Sequence, residues 1–161
     1  GTFSKSIAPA IRMSYMVLPK PLLQLYERHS CYTQTVSRID QMVVNEFLQG
    51  GYFERHLNRM RSIYKSKHDF LLNELRTWGD SVKVFGENSG LHVLLMADNG
   101  MTEEKLVNMA GKAGVKVFGI SEYYINRLEN YYKPTVLLGF ANLSEGDIRT
   151  GLALLKKAWR I

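Results

Sequence analysis

The run Gly1-Thr2-Phe3-Ser4-Lys5-Ser6-Ile7-Ala8-Pro9-Ala10-Ile11-Arg12 sets one lysine among small hydroxyl residues, with an arginine seven positions on. A lysine acts as a carbonyl nucleophile when it is partly desolvated or lies near another cation, and a guanidinium with hydroxyls nearby can hold an anion. Lys5 is therefore a candidate to condense with an aldehyde, and Thr2 and Arg12 are candidates to hold a phosphate. Pyridoxal phosphate carries both groups in one molecule. On spacing alone the plainer alternative is commoner: a polar surface turn followed by a solvated charge.

Three further stretches bear on the choice. They are Gly51-Tyr52-Phe53-Glu54-Arg55-His56-Leu57-Asn58-Arg59-Met60-Arg61 with Tyr64 beyond it, Gly90-Leu91-His92-Val93-Leu94-Leu95, and Leu138-Gly139-Phe140-Ala141-Asn142-Leu143-Ser144-Glu145. With the opening run they resemble, in the same order, landmarks of the aminotransferase-like domain of MocR-type regulators, bacterial GntR-family transcription factors. The resemblance implies the C-terminal portion of an aminotransferase-like fold (pyridoxal phosphate fold type I), with Lys5 catalytic and Lys5, Thr2 and Arg12 binding the cofactor. In that family the remaining cofactor-holding groups precede the lysine, and a winged-helix DNA reader precedes those. The expectation is thus a piece of a longer protein, binding pyridoxal phosphate weakly or not at all by itself. The resemblance further implies a homodimer, an amino-compound effector or amino-acid substrate, and DNA contact only through an N-terminal domain.

One departure stands out. Aminotransferases of this fold usually place an arginine for the substrate carboxylate in the last strand, where this chain has Leu137, and Arg127 is the nearest upstream substitute. A lost charge-assisted pair of this kind is commonly worth about 1.5 to 3 kcal/mol. That favours an effector sensor over a class I/II aminotransferase, the second reading. Ser14 is a milder departure, since relatives often have glycine there. A third reading, an interaction module without a ligand, needs Lys5 to be dispensable.

Composition sets the bounds. The chain has 161 residues, 45% of them hydrophobic, a formal charge of +6 and a single cysteine, Cys31. The length and apolar fraction suit a globular domain, and the scattered charges do not single out a nucleic-acid surface. One cysteine cannot form an internal disulfide, which suits a reduced, cytoplasmic location. No apolar run reaches the roughly 20 residues that span a bilayer. His29, His56, His68 and His92 lie too far apart in sequence for a zinc motif, so no metal is expected.

The pattern reads as an α/β or α+β lobe: a small sheet with helices and one long linking helix. A strand is expected over Arg12–Leu18, then helices from Pro21 to His29 and from Ser37 to Gln49. A long helix from Tyr52 to about Trp78 has Leu57, Met60, Tyr64, Leu71 and Leu75 on one face, and Arg55, Arg59, Arg61, Lys65 and Lys67 on the wet side. Val82–Phe85 and His92–Met96 suggest a hairpin, with Gly86 and Gly90 in its turn. Thr102 is a candidate N-cap, with Glu103 and Glu104 in the first turn and Gly114 at the far end. Val115–Phe118 and Thr135–Phe140 read as strands, and Ser144 with Asp147 as a capping box for a final helix reaching about Arg160. The Ser121–Pro134 stretch, with Tyr123, Tyr124, Tyr131 and Tyr132, reads as a loop with a helical turn. The expected division is 1–50, the tail of a large cofactor-binding lobe, and 51–161, a C-terminal small lobe.

Overall fold

A computed structural model describes residues 1–29, 36–86, 90–124 and 133–161, which group into two compact units, Gly1–Arg61 and Ser62–Ile161. Cys31, Arg127, Tyr131 and Tyr132 lie outside the described residues.

In the first unit the chain opens with a four-residue helix, α1 (Phe3–Ser6), capped by the Thr2 hydroxyl, which accepts from the Ser4 N–H. Helices α2 (Lys20–His29) and α3 (Arg38–Gln49) follow, the latter capped by Ser37. The strand expected over Arg12–Leu18 does not form. Its residues make an isolated bridge, Thr2 with Ser14, flanked by Phe3 N–H to Met13 O and Tyr15 N–H to Gly1 O. A strand needs a neighbour along its length, and Gly1–Phe3 supplies one only as far as Tyr15. Phe3, Phe47 and Phe53 join this unit through edge-on ring contacts, Phe3–Phe53 at 6.0 Å and Phe47–Phe53 at 6.4 Å. Tyr52 stacks on Phe47 at 6.1 Å.

Helix α4 (Tyr52–Arg76) has 25 residues, about 37 Å at 1.5 Å per residue, and belongs to both units. Its second half buries Leu71 and Leu75 in the core of the second unit. Lys67 is not on a wet face: it is half-buried, and its Nζ donates to the Ala141 carbonyl at 2.8 Å.

The second unit is a four-stranded sheet with helices: β1 (Val82–Phe85), β2 (His92–Ala97), α5 (Glu103–Lys112), β3 (Phe118–Gly119), β4 (Thr135–Gly139) and α6 (Glu145–Trp159). The strand order is β1-β2-β4-β3 and every pair is antiparallel. The architecture is therefore α+β. Gly86 and Gly90 flank the β1–β2 turn at φ 73° and 48°, a backbone region that side chains with a Cβ resist. The expected Val115–Phe118 strand shrinks to Phe118–Gly119. Val115 gives its N–H to Ala110 O at the end of α5, and β4 offers pairing only at Leu137 and Val136.

Side chains alternate across a sheet. One face presents Val82, Val93, Leu95, Val136 and Leu138, which pack with Leu106, Ala110, Ile148, Leu152 and Leu155 of the helices. Trp159 is fully buried, stands edge-on to Trp78 at 6.2 Å and donates its indole N–H to Leu106 O at 3.0 Å. The caps are those the sequence implies: Thr102 accepts from Lys105 N–H, and Ser144 and Asp147 form a reciprocal capping box. Arg160 closes α6 in the left-handed region, at φ 58°.

Candidate functional site

Lys5 lies on α1 with its side chain exposed, and Thr2 is the N-cap of the same turn. Arg12 returns to that turn through one hydrogen bond, its Nη1 donating to Ser4 Oγ at 3.1 Å. Ser4 Oγ in turn donates to Ile11 O at 2.6 Å, and Ser6 Oγ donates to Thr2 O at 3.2 Å. The loop carrying Arg12 is thereby pinned to the turn carrying Lys5.

The donor set consists of an amine, hydroxyls and a guanidinium. Among the described residues Arg12 makes no ion pair, so most of its N–H groups remain available to an anion. Such a set fits the phosphate and aldehyde of pyridoxal phosphate by its chemistry. Thr2 is partly committed elsewhere: its hydroxyl donates to Met13 O and caps Ser4, each at 3.3 Å. Both bonds are long, so redirecting that hydroxyl costs little. Ser4, the link between Arg12 and the lysine turn, was not singled out by motif spacing. The signal was there, a hydroxyl immediately before the lysine and eight residues before the arginine.

The other candidates sit apart from such chemistry. His56 rests edge-on against Phe47 at 6.2 Å. His68 has its ring 5.8 Å from Phe140 and Nδ1 3.4 Å from Asp69 Oδ1. Among the described residues no group of three or more His, Cys, Asp or Glu side chains could hold a metal ion. Among them also, no helix is long and apolar enough to cross a membrane.

On the sheet face opposite the core, registered pairs place Phe85, Leu94, Leu137 and Phe118 in one row across all four strands. Leu137, at the position where the resemblance implies a carboxylate-holding arginine, is thus flanked by Leu94 and Phe118 and brings no charge. At one end of the row Lys116 Nζ lies 5.1 Å from the Phe118 ring centroid.

No family model matches the chain. Over its whole length it is 44% identical to part of the uncharacterized HTH-type transcriptional regulator YdeL of Bacillus subtilis, covering 35% of that protein. It is 25% identical to the probable rhizopine catabolism regulatory protein MocR of Rhizobium meliloti, over 99% of the chain and 32% of that protein. Among solved structures, Pyrococcus horikoshii kynurenine aminotransferase superposes on 99% of the chain with a TM-score of 0.86 at 27% identity, and the match takes in 39% of that enzyme. The chain spans about a third of the length of the curated relatives it matches. It is a homologue of the aminotransferase-like part of the HTH-type, MocR-like transcriptional regulators.

Proposed function

We propose that the chain is a C-terminal piece of a pyridoxal-phosphate-binding, aminotransferase-like domain that senses an effector and dimerises within a bacterial transcription regulator. The observation that carries this reading is end-to-end similarity to an HTH-type regulator in a chain with the aminotransferase fold. Residues 1–50 form the tail of the cofactor-binding lobe, and 51–161 form the small lobe with its linking helix.

Pyridoxal phosphate, when bound, supplies an aldehyde and an anionic anchor. Lys5 offers the amine for that aldehyde, and Arg12 and Thr2 offer the guanidinium and hydroxyl for the phosphate. An amino-compound effector that takes the place of the Lys5 amine leaves the lysine free to make new contacts. A state with Lys5 free and one with Lys5 engaged are then favoured differently by the effector, which is what a sensor needs. The uncharged Phe85–Leu94–Leu137–Phe118 row supports sensing over amino-acid turnover, because a ligand carboxylate finds no partner in that strand row. DNA is contacted through a separate HTH segment, and the protein works in the cytoplasm.

The test is reductive trapping of the full-length gene product with pyridoxal phosphate, followed by mass spectrometry. An adduct on Lys5 is expected, and its absence overturns the cofactor reading. The isolated chain is expected to bind the cofactor weakly or not at all. A second reading, an aminotransferase, draws on the match to the Pyrococcus horikoshii enzyme. Sustained turnover of amino donors by the full-length protein selects it over the sensor.

A further inference from the structure

We infer that the second unit carries a small-molecule site of its own, a slot beside the end of β4 that takes a short branched-chain amino acid of the size of valine. None of its lining residues belongs to Gly1–Arg61, so it owes nothing to Lys5 and stands or falls apart from the cofactor reading.

Two features of the sequence open the slot. β3 pairs with β4 only at Leu137 and Val136, so Val115 and Lys116 pass Leu138–Phe140 without closing onto that end of the strand. Opposite them α6 buries the stripe Ile148, Leu152, Leu155 and Trp159, and Gly151 stands on that face with no side chain. A glycine inside a helix costs stability relative to alanine. Here the vacated space is not filled by neighbours, since a Cβ at Gly151 would meet nothing within 4 Å.

The space amounts to about 70 Å³, walled by Leu71, Leu138, Phe140, Ile148, Leu152 and Leu155. A cavity of about 150 Å³ admits benzene, so this one fits an isopropyl group and not a ring. Water is held poorly there, because it needs about two to four polar partners and these side chains offer none. The charged groups sit at the rim and are of opposite sign. Lys116 is exposed and, among the described residues, makes no ion pair. Asp147 is exposed and accepts from the Ser144 N–H and hydroxyl through Oδ2, which leaves Oδ1 for another donor. A carboxylate suits the first and an ammonium the second. A short branched tail with both charges at its head meets all three requirements.

The experiment is isothermal titration of the full-length protein, freed of pyridoxal phosphate so that no imine forms, with L-valine and four relatives. L-Valine is expected to bind, and isovalerate and isobutylamine, each lacking one of its charges, to bind about tenfold more weakly. L-Alanine lacks the tail and L-phenylalanine exceeds the slot, so neither is expected to give heat. Gly151→Ala puts a methyl group into the slot while favouring the helix; valine affinity is expected to fall about tenfold with the melting temperature unchanged or raised. Lys116→Ala is expected to weaken valine about tenfold and to leave isobutylamine, which has no carboxylate, unmoved. Absence of valine binding, alanine or phenylalanine binding as tightly as valine, or a Gly151→Ala variant that binds valine like the wild type overturns the proposal. Should Gly151→Ala not fold, the exposed Lys116 decides: equal weakening of valine and isobutylamine, or of neither, overturns it.

Discussion

The two units of this chain draw on the same kinds of residue and use them in opposite ways. In Ser62–Ile161 the large apolar side chains are inside: Trp159, Phe140, Leu95, Leu106, Val93 and Val136 have almost no solvent contact. In Gly1–Arg61 they are outside, with Val17 87% exposed, Ile39 73% and Met42 69%, and Val44 is the one buried apolar residue among those described. The candidate chemistry sits in the second kind of place, on a short turn held by hydrogen bonds rather than by a core. The larger core and the candidate chemistry therefore lie in different units, which is the usual division between scaffold and site. Apolar surface of this extent is rare on a finished monomer. Under the proposed function the rest of the regulator, or a second copy, is what covers it.

Several substitutions would break or sharpen this contrast. Trp159→Ala should be the most damaging, because it empties a fully enclosed site and removes the indole hydrogen bond to the Leu106 carbonyl; a loss of about 3 to 5 kcal/mol is expected in denaturant titrations of the chain. Gly119→Ala comes next. A Cβ there collides with the Glu103 carboxylate, which accepts from both the N–H and the hydroxyl of Ser121, so about 1 to 3 kcal/mol is expected, with Glu103→Gln or Glu103→Ala unable to restore the Ser121 contacts fully.

Ser144→Ala removes the capping box of α6 and should cost about 1 kcal/mol, read as a lower midpoint with unchanged slope. A smaller effect belongs to pH. The Ser144 hydroxyl and then its backbone N–H hold the Asp147 carboxyl below its usual value of 3.8. A carboxyl depressed on folding stabilises fully above its unfolded value, and that contribution fades as the pH falls through the lower folded value. Melting temperatures taken from pH 5 downward should therefore show a decline that Asp147→Asn flattens. At the bottom of the scale, Ile39→Ser and Met42→Ser in the first unit should leave the melting of the second within about 0.5 kcal/mol. A large drop there would erase the contrast between the units.

The legible parts of the fold are those whose signals are local. The Thr102 and Ser144 caps and the β1–β2 hairpin with its glycines follow from residues within a few positions of one another, and they form as read. Arg12–Leu18 and Val115–Val117 have strand composition, but a strand is made by its neighbour, and neither stretch has one along its length. Lys67 looked like a surface charge because its acceptor, Ala141, lies 74 residues away. In the candidate site the types of Thr2, Lys5 and Arg12 were readable from spacing. The role of Ser4 was not, since it depends on where its single proton goes.

The position of β4 has a consequence for biogenesis. Among the described strands of this sheet it comes last in chain order, yet it fills an interior slot, between β2 and β3. Until Thr135–Gly139 emerges, the β2 edge of the hairpin is unpaired and the two-residue β3 has no strand to pair with. Burial of the sheet's inner side must wait for that late arrival, so stalled or C-terminally clipped products offer an adhesive β2 edge to whatever passes, and quality control should find them readily.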